Sequence, residues 1–187
     1  LARVDLGSKY GFVNPSGEFI LPIEIESHNY STVDSAMYFK EGFITFFDSK
    51  KWGYINPLEK FILEPLYDQA ESFSEGLALV KINNKYGFIN KDGVMVIDPQ
   101  FDLASSFSEG FAPINIDGKW GFVDTSGNVA IKPQYTAVSS FSNATAKIKN
   151  GKKVGLINKQ GKFVIKPLYE DLERFFDTTF KFKKDGQ

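Results

Sequence analysis

Acidic side chains recur along this sequence in a way that first raises the possibility of carboxylate chemistry. Two sets of carboxylates return about once every 34 residues, and they are Glu41, Glu75 and Glu109, and Asp68, Asp102 and Glu170. Two acids held across a glycosidic bond can hydrolyse it. These acids, however, repeat together with the sequence around them, whereas a catalytic pair should break a repeat. We therefore expect no catalysis by these acids and predict that the chain is not an enzyme.

Lysines also recur at a fixed place in the repeat, at Lys9, Lys51, Lys85, Lys119 and Lys153. One cation per unit could follow a regular polyanion. The alternative is a solvated turn lysine whose stem covers a neighbouring ring and whose charge is paired with a nearby carboxylate. The 22 basic and 23 acidic residues give a net charge of −1. We therefore favour the alternative and predict no nucleic-acid partner.

The sequence offers almost no Cys or His side chains that could bind a metal ion or react as a thiol, and no apolar run long enough to cross a membrane. The chain has no cysteine and one histidine, His28, which argues against disulfides, zinc–thiolate sites and histidine metal centres. We predict no metal and no cofactor. No apolar run reaches 18 residues, so no transmembrane segment is expected. The start, Leu1 to Val4, has neither a signal-peptide layout nor a methionine. We expect a fragment or mature form, and its location remains open.

A pair formed by an aromatic residue and glycine reveals the internal repeat. The pairs begin at Tyr10, Trp52, Tyr86 and Trp120, with Val154-Gly155 as a degenerate fifth, and Phe39, Phe73, Phe107, Phe141 and Phe175 mark the same units. The last three steps between pairs are 34 residues, but the first is 42. The first unit therefore carries an insertion, which we place between Ile23 and Val33.

Each unit is predicted to form three short antiparallel strands. Frequent Gly and Pro exclude the long helices of a helical 34-residue repeat. The first strand alternates, as in Ala112 and Ile114, which predicts a half-buried strand. The second contains the fixed Gly, which indicates a bulge or close approach, and the third should end at a proline such as Pro99.

The links between these strands have recognisable turn sequences. Asn or Asp followed three residues later by Gly, as in Asn90 to Gly93, predicts a type I turn with a left-handed Gly. In the second unit Glu59 replaces that Gly, so we expect a different turn there. Asp117-Gly118 and Asn150-Gly151 suit tight hairpins. The connection around Phe73 to Gly76 is expected to hold a turn of 3₁₀ helix.

Together these observations predict an all-β protein with a single array spanning residues 1–187. The five units cover approximately residues 1–42, 43–76, 77–110, 111–144 and 145–178, followed by the start of a sixth. We expect an open, curved array, because propeller blades usually need four strands and about 40–45 residues. A closed, propeller-like ring is the alternative.

The repeated motif resembles the bacterial WG-repeat family, also called KWG repeats. The resemblance rests on Gly118-Lys119-Trp120-Gly121-Phe122-Val123-Asp124 with Ile131 to Tyr135, and on Phe-Ser-Glu-Gly-Leu-Ala-Leu-Val at residues 73–80. It covers essentially the whole chain. It implies a β-rich repeat that serves as an interaction or scaffolding module in larger bacterial proteins, without shared catalytic residues.

Two functions follow from this reading of the sequence. The first is a non-enzymatic module that binds a protein partner. The second is a carbohydrate-binding or envelope-associated module that uses exposed aromatic rings. We expect the aromatic-Gly rings to be core residues, so that Trp120→Ala should cost about 3–5 kcal/mol. Binding is then assigned to the insertion in the first unit, with Glu24, Glu26, His28, Asn29 and Tyr30 as candidate partner-binding residues.

Overall fold

A computed structural model describes residues 2–6, 9–13, 16–26, 40–47, 50–56, 61–176 and 179–183. Within these ranges the chain is all-β and contains no helix. Each unit has three main strands, and in several units a connecting strand of only two residues follows them. Their bounds are β1 Ala2–Leu6, β2 Lys9–Val13, β3 Phe19–Glu26, β4 Ile44–Phe47, β5 Trp52–Asn56, β6 Phe61–Tyr67, β7 Gln69–Ala70, β8 Leu77–Ile82, β9 Lys85–Asn90, β10 Met95–Phe101, β11 Leu103–Ala104, β12 Phe111–Ile116, β13 Lys119–Asp124, β14 Val129–Tyr135, β15 Ala137–Val138, β16 Thr145–Asn150, β17 Lys153–Asn158, β18 Phe163–Tyr169, β19 Asp171–Phe176 and β20 Thr179–Lys183.

These strands form separate antiparallel sheets, one for each unit. The first two sheets are β1-β2-β3 and β4-β5-β6, and the next three have four strands each, in the orders β7-β8-β9-β10, β11-β12-β13-β14 and β15-β16-β17-β18. The pair β19-β20 follows. The all-β repeat prediction is confirmed, and no barrel closes among the described residues. The fourth strand was not predicted, because each connecting strand has only two residues.

The hairpin between the first and second strands of a unit closes with a two-residue turn. In the third unit Ile82 pairs with Lys85, and Asn83 and Asn84 between them have φ of 50° and 65°. Asp117 and Gly118 repeat this geometry with φ of 50° and 74°. Two residues with positive φ define a type I′ turn, whose twist matches that of the strands.

The turn between the second and third strands takes the predicted form. Gly93 has a φ of 78°, and its N–H donates to the carbonyl of Asn90 at 3.0 Å. The Asn90 side-chain oxygen accepts the N–H groups of Asp92 and Val94 at 3.0 and 2.9 Å. This is the type I turn followed by a left-handed Gly that the sequence predicts.

The second unit pairs differently beside the same turn, as expected from the loss of Gly. Ile55 pairs with Ile62 and Asn56 with Phe61 in continuous register, whereas the fourth unit shifts register between Phe122 and Val123. The turn residues 57–60 themselves, including Glu59, lie outside the described residues. The flanking register nevertheless shows that the bulge supplied by Gly elsewhere is missing.

The fixed Gly of the second strand faces a bulge in the third strand. Phe88 pairs with Ile97 and Tyr86 with Phe101, so the third strand has extra residues opposite Gly87. A Cβ on Gly87 would lie 2.5 Å from the carbonyl oxygen of Ile97 and 2.8 Å from the nitrogen of Pro99. The predicted bulge is confirmed.

The third strand does not end at its proline, so that prediction was wrong. β10 continues through Pro99 to Phe101, and β6, β14 and β18 continue in the same way. Proline lacks an N–H for the ladder, but a bulge on an edge strand leaves one residue unpaired. Pro99 occupies such a bulge and therefore costs no hydrogen bond.

The described connections at residues 68–76, 102–110 and 136–144 contain no 3₁₀ turn before the first strand, contrary to expectation. Ser74 forms an isolated antiparallel bridge with Leu77, and the Ser74 N–H donates to the Leu77 carbonyl at 2.8 Å. Glu75 and Gly76 between them both have positive φ, 56° and 80°. A tight β-type turn thus takes the place of the expected 3₁₀ turn.

The core is divided into layers, and each layer lies between two successive sheets. Leu79 and Phe88 from the third unit pack with Ile114 from the fourth. On the other face of the same sheet, Val80 packs with Tyr54 of the second unit. The first strand was predicted to be half-buried, but β8 is buried on both faces. A sheet that is stacked between two neighbours has no free face, which periodicity within one strand does not reveal.

The large ring of each core layer is the residue two positions after the aromatic-Gly ring. Tyr54, Phe88 and Phe122 are each 0% exposed, and Phe122 lies 4.7 Å from Phe141 between ring centroids. The rings of the aromatic-Gly pairs are only half-buried, at Trp52, Tyr86 and Trp120. The expectation that these rings form the core was therefore only partly correct. In the fifth unit Val154 takes the position and is buried.

Candidate functional site

The third strand of each unit lies at one edge of its sheet and presents a row of exposed side chains. In β10 the exposed residues Val96, Asp98 and Gln100 alternate with the buried Ile97 and Phe101. We call the equivalent exposed positions of the described units the outward face. It comprises Glu64 and Leu66, then Val96, Asp98 and Gln100, then Ala130, Lys132 and Gln134, and finally Val164, Lys166 and Leu168.

Large apolar side chains contribute much of this outward face. Leu66 is 64% exposed, Leu168 58%, Val164 53% and Val96 38%. Large exposed apolar patches mark contact sites on proteins, and these four side chains give three of the described units an apolar group at this edge. The bulge and the proline interrupt the backbone ladder of the edge, so continuous strand addition is disfavoured. The side chains, more than the backbone, are therefore the groups that this edge offers to another molecule.

The recurring lysines form ion pairs within the fold in two units. Lys51 donates to Asp68, and Lys85 donates to Asp102 at 2.5 Å. The second Asp102 oxygen accepts the N–H of Asp117 in the next unit's hairpin turn at 2.8 Å. The prediction that nearby carboxylates neutralise these lysines is confirmed for both pairs. At Lys119 the equivalent partner position is Thr136, and Lys119 has no carboxylate partner among the described residues.

These contacts lower the pKa of both aspartates. The Lys85 hydrogen bond, followed by that from the Asp117 N–H, holds the pKa of Asp102 below its ordinary value of 3.8. Lys51 and the Asn83 N–H act in the same way on the pKa of Asp68. Both carboxylates are therefore charged hydrogen-bond acceptors at neutral pH.

The recurring glutamates link each unit to the next through the Glu-Gly turns. Glu75 accepts the N–H groups of Glu109 and Gly110 at 2.5 and 2.8 Å. Glu41 accepts the N–H of Gly76 at 3.0 Å, and Glu109 accepts that of Ala144 at 2.9 Å. We call this series the glutamate ladder. It stops where Asn143 replaces Glu in the fifth unit.

Lysines from the turns between the second and third strands reinforce the glutamate ladder. Lys91 pairs with Glu41 at 3.1 Å and Lys159 with Glu109 at 3.2 Å. Burial acts to raise the pKa of Glu41, but the hydrogen bonds from Lys91 and Gly76 outweigh it and the pKa is lowered. The Ala144 N–H, against a smaller opposing effect of burial, lowers the pKa of Glu109, with help from Lys159. The three recurring glutamates, together with Asp68 and Asp102, thus hold units together.

Four charges on the outward face differ from all of these, and we call them the outward charges. They are Glu64, Asp98, Lys132 and Lys166, one per unit and 34 residues apart. All four are exposed, and their charged groups have no hydrogen-bond or ion-pair partner among the described residues. The ladder acids and the lysine-paired aspartates therefore stabilise the fold, whereas the outward charges are available to contact another molecule.

The predicted partner-binding residues fall partly outside the described residues. His28, Asn29 and Tyr30 lie there, together with the rest of residues 27–39. Glu24 and Glu26 lie in β3, where Tyr10 pairs with Ile25 and Lys9 with Glu26. Because Tyr86 pairs likewise with Phe101, Glu24 occupies the register position of Gln100 and Glu26 that of Asp102. The extra residues of the first unit therefore follow Ile25.

Exposed aromatic rings, which a glycan would require, are scarce among the described side chains. Phe163 is the single large ring that is mostly exposed, at 51%.

A cavity of about 130 Å³ lies beside Ser139, Lys147 and Leu172, where Lys147 replaces the buried Leu79 of the third unit. No group of three or more His, Cys, Asp or Glu side chains that could hold a metal ion occurs in the described part of the chain. No helix there is long and apolar enough to cross a membrane.

The sequence analysis missed the outward face, although the sequence carries a signal for it. The net charge of −1 does not show that acids and lysines are concentrated in different parts of the chain. Residues 61–118 contain nine acids and three lysines, whereas residues 119–170 contain two acids and nine lysines. Comparing the third strands position by position would have shown the change from Glu64 and Asp98 to Lys132 and Lys166.

Comparison with known proteins places this geometry in a family. The WG containing repeat matches five times, at residues 10–51, 52–86, 86–120, 120–153 and 155–187. The chain belongs to the WG-repeat family. Three of the matched segments begin at the half-buried rings Trp52, Tyr86 and Trp120. In the WG repeat of this chain, the ring that names the motif is thus not the one that fills the core.

Solved structures and curated proteins add little to the family match. One similar structure is "KlHsv2 with loop 6CD replaced by a Gly-Ser linker", at 11% identity and a TM-score of 0.46, covering 66% of this chain and 48% of that one. Another is a protein of unknown function from Bacteroides caccae, at 18% identity and a TM-score of 0.30, covering 62% and 53%. This chain thus spans about half the length of these two proteins. No curated protein matches.

Proposed function

We propose that this WG-repeat array is a non-enzymatic module that binds a protein partner through its outward face. The observation that carries the proposal is the set of unpaired outward charges, one per unit, with exposed large apolar side chains beside three of the four. Leu66, Val164 and Leu168 supply apolar contact area, and Lys132 and Lys166 supply charge that no other described group neutralises. Protein interfaces combine these two elements, since apolar burial gives affinity and charge gives specificity.

Two further observations support protein binding over the alternatives. The recurring acids that could suggest catalysis are held by backbone N–H groups and lysines in the glutamate ladder and the aspartate pairs. Aromatic platforms for sugars need open ring faces, and Phe163 is the one mostly exposed ring in the described part of the chain. The carbohydrate-binding alternative therefore has less support than the protein-binding function.

Site-specific photo-cross-linking in the source cells tests this function. A photoreactive phenylalanine analogue at Leu168 samples the outward face, and the same analogue at Lys152, an exposed hairpin residue, is the matched control. We expect a discrete protein adduct, identified by mass spectrometry, from position 168 and not from 152. Equal adducts at both positions, or none at 168, would contradict the proposal. In the second case a glycan array becomes the next experiment.

A further inference from the structure

The outward charges follow an order that is complementary to itself. Along the chain they read acidic, acidic, basic, basic, at Glu64, Asp98, Lys132 and Lys166. If a second copy of the face is reversed, each acid meets a lysine. Glu64 then faces the partner's Lys166, and Asp98 faces the partner's Lys132. In the parallel, in-register arrangement every charge would instead meet its like, which is unfavourable.

The neighbouring position on each third strand has the same symmetry. Two residues after the outward charges stand Leu66, Gln100, Gln134 and Leu168, all exposed. Reversal places leucine against leucine and glutamine against glutamine. Leucines can then bury apolar area together, and glutamines can exchange hydrogen bonds through their amide groups. The leucines and glutamines are thus compatible with the antiparallel arrangement, and the outward charges select it over the parallel one.

The contacts within the chain explain why these charges are free for such an arrangement. Several other charges of the fold have partners, for example Lys91 with Glu41 at 3.1 Å and Lys147 with Asp171 at 3.5 Å. The outward charges have none among the described residues, although two are acids and two are lysines.

From these patterns we infer that the outward face binds a second copy of this chain in an antiparallel, twofold arrangement. This inference rests on the proposed function and specifies its partner. A twofold contact uses the same patch on both copies, so each residue pair occurs twice. The four opposite-charge pairs and two leucine pairs of the dimer lie on the edges of the sheets, away from the layers of the core.

Sedimentation of charge-reversed variants tests the inference. The variant E64K/D98K has four positive outward charges, and K132E/K166E has four negative ones. We expect wild type to dimerise at about 0.05 M salt and to dissociate progressively as the Debye length shortens towards about 3 Å near 1 M. Each variant alone should bind itself at least about tenfold more weakly than wild type. An equimolar mixture of the two should restore a dimer.

The control variant K149E/K152E changes net charge by the same amount as K132E/K166E. Lys149 and Lys152 are exposed on a hairpin and not on the outward face, so this variant should dimerise like wild type. Circular dichroism at high salt, where wild type is dissociated, should show equal thermal stability for all variants, since none of the substituted side chains has a partner among the described residues. The inference is overturned if wild type is monomeric up to about 1 mM, the range of weak contacts. It is also overturned if the control weakens equally or the mixture stays monomeric.

Cysteine cross-linking determines the direction of the contact, because the chain has no cysteine of its own. Mixing L66C with L168C and adding a short bismaleimide should give a covalent dimer, whereas L66C alone should not. Efficient cross-linking of L66C with itself would instead mean a parallel contact and overturn the inference. Photo-cross-linking at Leu168 to a different protein would leave the proposed function intact even if self-association fails. The two failures are thus distinguishable.

Discussion

At the scale of single residues, two aromatic positions in the repeat differ in how deeply they are buried. Phe122 is completely buried and contacts the ring of Phe141 in the same unit at 4.7 Å between centroids. Trp120, two residues earlier, is only half-buried. Both occur in the motif Trp-Gly-Phe-Val, where residue type alone does not indicate which ring enters the core. Residues two apart in a strand share one side of the sheet, and the two rings differ because Trp120 lies next to the hairpin end of β13 whereas Phe122 lies in its middle.

A pair of alanine variants measures this difference. Phe122→Ala should lower the free energy of unfolding by about 3–5 kcal/mol, the usual loss for a buried large ring. Trp120→Ala should cost about 1–2 kcal/mol less, because less apolar area is lost from a half-buried ring. Urea unfolding followed by circular dichroism gives both values. An equal or larger loss for Trp120→Ala would mean that the half-buried ring is the main core residue after all.

The aspartate held by Lys85 predicts a specific response to acid. The pKa of Asp102 is lowered below 3.8, so its contribution to stability is complete above pH 3.8 and is lost as the pH falls towards the folded pKa. In Lys85→Met, the pKa of Asp102 should rise towards 3.8 and the acid-dependent loss of stability should shrink. Asp124 provides the control.

NMR titration of the side-chain carboxyls distinguishes the two aspartates. Burial acts to raise the pKa of Asp124, but hydrogen bonds from the Asn128 backbone and side chain outweigh it and the pKa is lowered. No lysine contributes there, so its pKa should not change in Lys85→Met. If Asp102 keeps its lowered pKa without Lys85, the ion pair is not its main cause.

At the scale of elements, the bulge in each third strand explains why the motif requires its glycine. A Cβ at Gly121 would lie 2.3 Å from the carbonyl oxygen of Ile131 and 2.6 Å from the nitrogen of Pro133. Both are backbone atoms, which cannot move without disturbing the pairing of β13 with β14. Gly118, in the hairpin turn, differs because its φ is 74° and no atom lies within 4 Å of its Cβ position.

Alanine substitutions should separate these two requirements. Gly118→Ala should cost about 1 kcal/mol, the strain of a left-handed residue with an open environment. Gly121→Ala should cost clearly more and alter the bulge, which chemical shifts of Ile131 and Lys132 would report. The same small cost at both positions would show that the close approach at Gly121 relaxes freely.

Local elements were largely predictable from sequence, and the exceptions have physical causes. The period, the three main strands, the Asn90 to Gly93 turn and the bulge opposite Gly87 all follow from short-range rules. Continuation through Pro99 was missed because the rule against proline in strands does not apply at a bulged edge. The pairing of Leu103–Ala104 with β12 was missed because two residues show no periodicity. Both faces of β8 are buried because neighbouring sheets pack on them, and the sequence of one strand does not show this packing.

At the scale of the whole molecule, charged side chains have two roles: some join successive units, and others lie on the outward face. The glutamate ladder joins successive units through bonds such as those from Gly76 to Glu41 and from Gly110 to Glu75. The outward charges, including Glu64 and Lys166, lie on the exposed edge and contribute no contact within the described fold. The candidate site could not be predicted from any one repeat, because its pattern becomes visible only when four units are compared.

The central claim is that the ladder stabilises the fold whereas the outward charges bind a partner. Glu64→Lys and Glu75→Lys make the same chemical change in neighbouring units, which allows a direct comparison. Both variants and wild type should be compared by sedimentation equilibrium at low salt and by thermal melting at high salt, where wild type is dissociated and self-association does not add to its stability. Glu64→Lys should melt like wild type, within about 0.5 kcal/mol, but lose self-association. Glu75→Lys should associate normally below its melting transition but be less stable, because the N–H groups of Glu109 and Gly110 lose their acceptor. The reverse pattern, or an equal effect of both substitutions on stability, would contradict the account.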